Sequence, residues 1–171
     1  MKGKINVKNV IWFILIIFIF IRLFLFPIQV VGDSMCPTYN NGDMLISNIF
    51  INRNDLERGD IITFYEKASN KVLIKRIIGV PGDEVKLTTN GLVINDQLFK
   101  DDFSTNMEYP KIGMAFWRLE EGEYFVLGDN RNHSIDSRSF GKVSKIHILS
   151  KIQSSAVYQY QFVDRKENKN D

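Results

Sequence analysis

The first 31 residues and the 140 that follow obey different hydrophobic patterns. From Val10 to Ile21 the chain reads VIWFILIIFIFI; Arg22 interrupts it, and LFLF continues to Pro27. Residues 10–26 make 17 positions, or roughly 25 Å of helix. That nearly spans a hydrocarbon core of about 30 Å, and the apolar IQVV beyond Pro27 extends the contact. The pattern predicts a transmembrane anchor over 10–27. After residue 31 the helical signal fades into short runs rich in β-branched and aromatic residues: MLISNIFI (44–51), DIITFYE (60–66), KVLIKRIIGV (71–80), EVKLTT (84–89), LVIND (92–96) and EYFVLGD (123–129). Asn41-Gly42, Arg58-Gly59, Pro81-Gly82, Asn90-Gly91 and Glu121-Gly122 punctuate them. This spacing predicts a mostly β domain over 28–171, barrel-like or sandwich-like. Asn90-Gly91 predicts a type I′ hairpin, whose two central residues need positive φ. Residues 100–118 lack periodicity and read as a surface lobe or loop inside a small non-catalytic region over about 86–122; the polar tail from Asp164 reads as frayed.

Charge sharpens the division. The net +2 of the chain hides +4 from Lys2, Lys4, Lys8 and Arg22, with no acid before residue 32, and therefore 2 − 4 = −2 on the rest. The lysines flank the near end of the apolar run, and Arg22 can snorkel at the far end. The positive-inside rule then puts residues 1–9 in the cytoplasm and the domain from 28 onward outside, in a single-pass topology. A cleaved secretory signal looks similar at its start, and Val30-x-Gly32 resembles a cleavage site; the apolar run is longer than the 7–15 residues usual for such signals and stays bulky to its end. Composition is ordinary for a globular chain of 171 residues, 44% hydrophobic and 25% charged. One cysteine, Cys36, leaves no internal disulfide and no all-cysteine zinc site, and two histidines, His133 and His147, argue against a His-rich metal centre. Nothing in the charge balance asks for nucleic acid.

Three polar stretches stand out: GDSMCPT (32–38), VLIKRIIGVPGDEV (72–85) and LGDNRNHSIDSRSFG (127–141). Taken singly, each has an ordinary reading as a turn, an edge or a surface ion pair. The second is less ordinary. Strand alternation puts Leu73, Lys75 and Ile77 on one face and Ile74, Arg76 and Ile78 on the other. A lysine facing an apolar interior loses proton affinity, and a neutral lysine is a usable general base. Ser34 is the best candidate for its nucleophile partner. A Ser34–His133–Asp136 triad and a Cys36 thiol nucleophile are the competing chemistries.

Together the stretches resemble the type I signal peptidases, membrane-anchored Ser/Lys proteases, in their compact Gram-positive form. The anchor is followed by G-x-S-M-x-P-T, R-G-D-I-I-T-F (58–64), K-R-I-I-G-x-P-G-D and G-D-N-R-x-x-S-x-D-S-R, in family order across residues 10–141; the final 30 residues add little to the match. The resemblance implies Ser34 as nucleophile and Lys75 as general base, with Ser134 orienting the lysine amine. It implies Asp136 and Arg138 as a supporting ion pair, Asp129 and Arg131 as braces of the loop, and Arg76 as structural. It places one oxyanion donor on the backbone N–H of Ser34; Gly32 stands where some members carry a serine, and the second donor is left open between the Gly32 backbone and a water. It assigns Val30, Met35, Tyr39, Leu73 and Ile74 to a shallow apolar pocket for small side chains at the first and third positions before the cut. No cofactor or metal is implied. The partners implied are signal-peptide-bearing precursors and the lipid bilayer, with no nucleic acid; no sequence feature specifies an oligomeric state. Two rivals remain at this stage. A non-catalytic assembly factor for surface fibres would suit a member that had lost the serine or lysine, and this chain keeps both. A self-cleaving repressor-type protease would lack the anchor and carry a DNA-binding segment.

Overall fold

The computed structural model describes residues 6–24, 26–89, 91–100, 103 and 114–153. Helix α1 (Val7–Phe24) opens the chain, and its described large apolar side chains, from Val7 to Ile19, are all exposed. Among the described residues no helix is long and apolar enough to cross a membrane; the side chains from 20 to 26 lie outside that set. The apolar run does not continue as anchor past Pro27. Residues Phe26–Gln29 form β1, an edge strand paired antiparallel with β2 (Met44–Asn48). Proline suits an edge, where its missing N–H leaves no ladder bond broken.

The strands β3 (Ile61–Glu66), β4 (Lys71–Gly79), β9 (Glu123–Leu127), β10 (Val143–Ser144) and β11 (Ile148–Ile152) complete a seven-stranded sheet in the order β1-β2-β11-β3-β4-β9-β10. A second sheet, ordered β7-β6-β5-β8, is built from β5 (Glu84–Thr88), β6 (Gly91–Ile94), β7 (Gln97–Leu98) and β8 (Ala115–Arg118). In this second sheet, β8 and the β5–β6 hairpin differ from the sequence expectation. Part of the stretch 100–118 is strand β8; residues 101–102 and 104–113 lie outside the described set. The β5–β6 hairpin pairs Thr88 with Gly91, so Gly91 already belongs to the ladder and is not a central residue of the turn; Asn90 lies outside the described residues.

Three apolar clusters hold these layers. One fills the main sheet with Ile62, Phe64, Ile77, Tyr124, Val126 and Ile148. A second joins the two sheets: Ile78, Phe125 and Leu127 meet Val85, Leu87, Leu92 and Ile94. A third, with Val30, Met35, Tyr39, Leu45, Ile61 and Ile152, lies behind the turn that follows β1. The β4–β9 register shifts at Ile78, and such a bulge bends the strand where β4 enters the inter-sheet cluster. Gly79 then passes so close that a Cβ there would lie 2.7 Å from Leu119 Cδ1 and 3.0 Å from both Phe125 Cβ and Val85 Cγ2. The sheets meet because this position has no side chain. Gly79→Ala should therefore cost about 1–3 kcal/mol by overpacking, read as a lower urea midpoint; an unchanged midpoint would show that the sheets part without penalty.

Candidate active site

The three polar stretches converge at the middle of β4. The turn 32–38 follows β1, Lys75 and Arg76 sit side by side on β4, and the loop 128–138 leaves the end of β9. Strand alternation sends the two basic side chains to opposite faces. Lys75, only 3% exposed, donates from Nζ to Ser34 Oγ at 2.7 Å and to the Ile74 carbonyl at 2.9 Å. Burial lowers its pKa from 10.5 to about 8, although the carboxylates of Asp136 and Asp129 pull the other way.

On the other face, Arg76 grips Asp129 through Nε at 2.8 Å and Nη2 at 2.6 Å and donates to the Gly59 carbonyl at 2.8 Å. Thr38 Oγ1 donates to the same carboxylate at 2.5 Å. One buried anion thus ties together a residue from each stretch. Asp136, fully buried, accepts from Arg138 Nε at 2.8 Å, from Arg138 Nη2 at 2.9 Å and from the Gly128 N–H at 3.1 Å, and it caps the single-turn helix α2 (Ser137–Phe140). Arg131 donates to the Gly128 carbonyl at 2.8 Å; burial and the neighbouring Arg138 lower its pKa to about 10, so it stays charged at neutral pH.

Two further residues shape the site and were not singled out in the sequence. Asn130 holds the nucleophile turn twice, its backbone N–H on the Ser34 carbonyl at 3.0 Å and its Nδ2 on the Asp33 carbonyl at 3.1 Å. Gly128 lets that turn approach, since a Cβ there would lie 2.3 Å from Ser134 Oγ and 2.4 Å from the Ser34 carbonyl oxygen. Both lie inside the third stretch, but nothing in the pattern distinguishes a residue that touches the turn from one that braces its own loop.

Several assignments need correction. Ser134 does not hold the lysine amine: its Oγ is buried and has no hydrogen-bond partner among the described residues, while Lys75 is occupied by Ser34 and Ile74. The Gly32 N–H is not open to an oxyanion, because it donates to Asn41 Oδ1 at 2.9 Å. Met35 and Tyr39 are core residues packed with Leu45 and Ile152 and do not line the cleft. The two competing chemistries, never the assigned ones, lack the geometry as well: His133 is exposed at the end of a short 3-10 turn, and its side chain bonds to neither Ser34 nor Asp136. Cys36 Sγ faces Asn40, at 3.5 Å from Oδ1.

The cleft beside Ser34 and Lys75 has a volume of about 450 Å³. Val30, Leu73 and Ile74 line it, joined by Ile28, Val31, Val72 and Leu149, which the sequence did not single out. Among the described residues no group of three or more His, Cys, Asp or Glu side chains is placed to hold a metal ion. A paired serine and lysine beside an apolar cleft can do acyl-transfer chemistry on an extended peptide.

Comparison with known proteins places this chain in a family. Residues 4–157 match the family model described as signal peptidase, peptidase S26. The chain is 34% identical over 160 residues to Signal peptidase I of Bacillus amyloliquefaciens, covering 87% of this chain and 81% of that one. It is 31% identical over 154 residues to Signal peptidase IB of Staphylococcus aureus, covering 80% of each. A crystal structure of a signal peptidase I from Enterococcus faecalis aligns with a TM-score of 0.49 at 30% identity, over 58% of this chain and 97% of that one.

Removing one partner of a buried pair leaves the other charge without compensation, so Asp136→Asn should lower stability by about 3–5 kcal/mol and activity with it; an unchanged melting temperature would show the Arg138 pair to be dispensable. Gly128→Ala should fold with reduced stability yet lose peptidase activity, because its methyl group displaces the Ser34 turn. Full activity in Gly128→Ala, measured on a precursor peptide, would contradict that close approach.

Proposed function

The chain belongs to the signal peptidases of peptidase family S26, serine endopeptidases that cleave signal peptides, and from that premise we propose that it does so with a Ser34–Lys75 dyad carried by a membrane-anchored domain. The observation that carries the reading is the 2.7 Å contact between Lys75 Nζ and Ser34 Oγ inside a buried environment. In the neutral state of the lysine the same contact reverses, and the hydroxyl donates to the amine. Lys75 takes the Ser34 proton as Oγ attacks the scissile carbonyl. The tetrahedral oxyanion is met by the Ser34 N–H, which has no other hydrogen-bond partner among the described residues; a single such donor is worth roughly 10²–10³ in rate. The ammonium then gives its proton to the leaving amine. A water activated by neutral Lys75 hydrolyses the acyl-enzyme and restores Ser34.

Asp129 with Arg76, and Asp136 with Arg138, hold the two loops in register with Lys75, and Asn130 fixes the nucleophile turn. Val30, Leu73 and Ile74 form the part of the cleft nearest Ser34. We assign residues 1–9 to the cytoplasm, the apolar helix to the bilayer and the domain from 28 onward to the outer side. What supports this is a helix that presents apolar side chains all round without burying them in the protein, flanked by lysines at one end. A precursor cut just beyond its own membrane segment would then meet Ser34 at the same height, and tethering in one plane raises their effective concentration.

Ser34→Ala should fold and be inactive, and Cys36→Ala should keep most activity; turnover by folded Ser34→Ala would remove the nucleophile assignment. Activity should rise with pH to a midpoint near about 8, as Lys75 loses its proton, whereas a histidine base would give about 6.5. The stability sign follows from the same shift. Between about 8 and 10.5 the unfolded chain binds more protons than the folded one, so the Lys75 contribution to stability rises with pH across that window and the penalty is complete below it. Lys75→Met should thus be inactive and, at pH 7, at least as stable as wild type. A rate profile from pH 5 to 10 on wild type, Lys75→Met and His133→Ala decides: a dead His133→Ala beside an active Lys75→Met would refute the dyad.

A further inference from the structure

The oxyanion donor, the Ser34 N–H, belongs to the same peptide unit as the Asp33 carbonyl. That unit is planar and trans, so its N–H and C=O point in opposite directions, and whatever fixes the carbonyl aims the N–H. Two donors fix it. The Cys36 N–H closes the turn onto the Asp33 oxygen at 3.1 Å, and Asn130 Nδ2 reaches the same oxygen from the loop after β9, also at 3.1 Å. The acceptor is a carbonyl, so the nitrogen of the Asn130 amide faces it and not the oxygen. The following peptide is held from the same place, since the Asn130 N–H donates to the Ser34 carbonyl at 3.0 Å. One residue therefore holds both peptide units that flank the nucleophile.

The loop's own structure does not ask for this contact. Asn130 is the N-cap of the 3-10 turn Arg131–His133, where an asparagine ordinarily turns its side-chain oxygen back onto the N–H groups of its own turn. Here the side chain makes no such bond, and it spans instead to a segment 97 residues away in sequence. A donor on the Asp33 oxygen also draws electron density through the amide toward that oxygen and leaves the Ser34 N–H more positive, because hydrogen bonds in such a chain strengthen one another. In the resting enzyme this N–H has no partner among the described residues. The polarisation is therefore realised when an oxyanion arrives, and an interaction stronger in the transition state than in the ground state is one that raises kcat. We propose that Asn130 is a positioning residue for the oxyanion site: through the Asp33 carbonyl it aims and polarises the Ser34 N–H toward the tetrahedral intermediate. This rests on the Ser34–Lys75 reading and deepens it.

The test uses the full-length chain in detergent micelles, a precursor peptide as substrate and two ligands that end at the cut. One is a peptide aldehyde, to which Ser34 Oγ adds as the C=O π bond opens and the hydroxyl proton passes to Lys75; the other is the matching peptide carboxamide, which binds without reacting. Asn130→Ala keeps the backbone N–H on Ser34 and loses the Nδ2 donor, and Asn130→Asp keeps the shape but presents an acceptor. Each should fold, lose about ten-fold in kcat, the worth of roughly one hydrogen bond, and leave KM unchanged. Each should bind the aldehyde more weakly by a similar factor while binding the carboxamide as wild type does. In Asn130→Ala the pH midpoint of the rate should stay that of wild type, because Lys75 bonds to Ser34 Oγ and Ile74 and not to Asn130. A wild-type kcat in Asn130→Ala overturns the proposal. So does an equal loss of affinity for both ligands, or a displaced pH midpoint, since either marks a nucleophile turn that has merely shifted. If Asn130→Ala does not fold, Asn130→Asp decides on kcat and on the two ligands; if neither folds, the residue is structural and the proposal falls. A wild type no more active than Ser34→Ala overturns the dyad reading and this proposal with it, whereas an active wild type beside an equally active Asn130→Ala overturns this proposal alone.

Discussion

A carboxylate with no access to water stays ionised only if the protein replaces its hydration with charge and hydrogen bonds. Asp129 is fully buried, and what replaces its hydration is the forked guanidinium of Arg76 and the hydroxyl of Thr38. Arg76 is fixed by β4, Thr38 by the turn after β1, and Asp129 by the loop after β9. Satisfying this one anion forces three distant parts of the chain to meet. Because Lys75 is the strand neighbour of Arg76 on the opposite face, the same constraint sets where its amine emerges, and the turn carrying Thr38 brings Ser34 to it. The electrostatic knot on one face of β4 is thus what positions the serine and lysine.

The site then balances two opposing demands on Lys75. Desolvation favours the neutral amine, and the carboxylates of Asp136 and Asp129 favour the ammonium. Each carboxylate is largely spent on an arginine, Asp136 on Arg138 and Asp129 on Arg76, so burial prevails and the amine titrates close to physiological pH. A group that titrates there keeps an appreciable unprotonated fraction, able to accept a proton, while its conjugate acid can still give one up. The ion pairs therefore hold the loops together and also prevent their own anions from pinning the lysine in its charged state.

Much of this was legible in the sequence, and the exceptions share a cause. Strands β2 to β6 and β9 announced themselves by alternation and by glycine-marked turns, and Lys75 by interrupting an otherwise apolar strand. Strand β11 did not: its inward positions are Ile148, Ser150 and Ile152, and a serine in the middle breaks the apolar alternation. Strand β1 was hidden because its apolar residues run on from the helix without a polar break. In the site, residue type pointed to Ser34 and Lys75, whose chemistry is distinctive, and the family resemblance added Asp129 and Asp136. It did not separate Met35 and Tyr39, which are core, from Val30 and Ile74, which line the cleft, since all four are apolar and lie near the nucleophile or the base in sequence. It also missed Gly128 and Asn130, whose importance lies in how closely two loops approach.

The central claim is that Lys75 loses its proton at about pH 8 instead of near 10.5 because it is buried against Ser34, and its titration can be followed directly. In the full-length chain labelled with ¹³C at lysine Cε, with Lys75→Met used to assign the resonance, the Cε shift should be recorded from pH 6 to 11. The account predicts a single lysine whose midpoint lies near about 8, well separated from the others. A Lys75 resonance that titrates with the remaining lysines, near the ordinary value of 10.5, would contradict it.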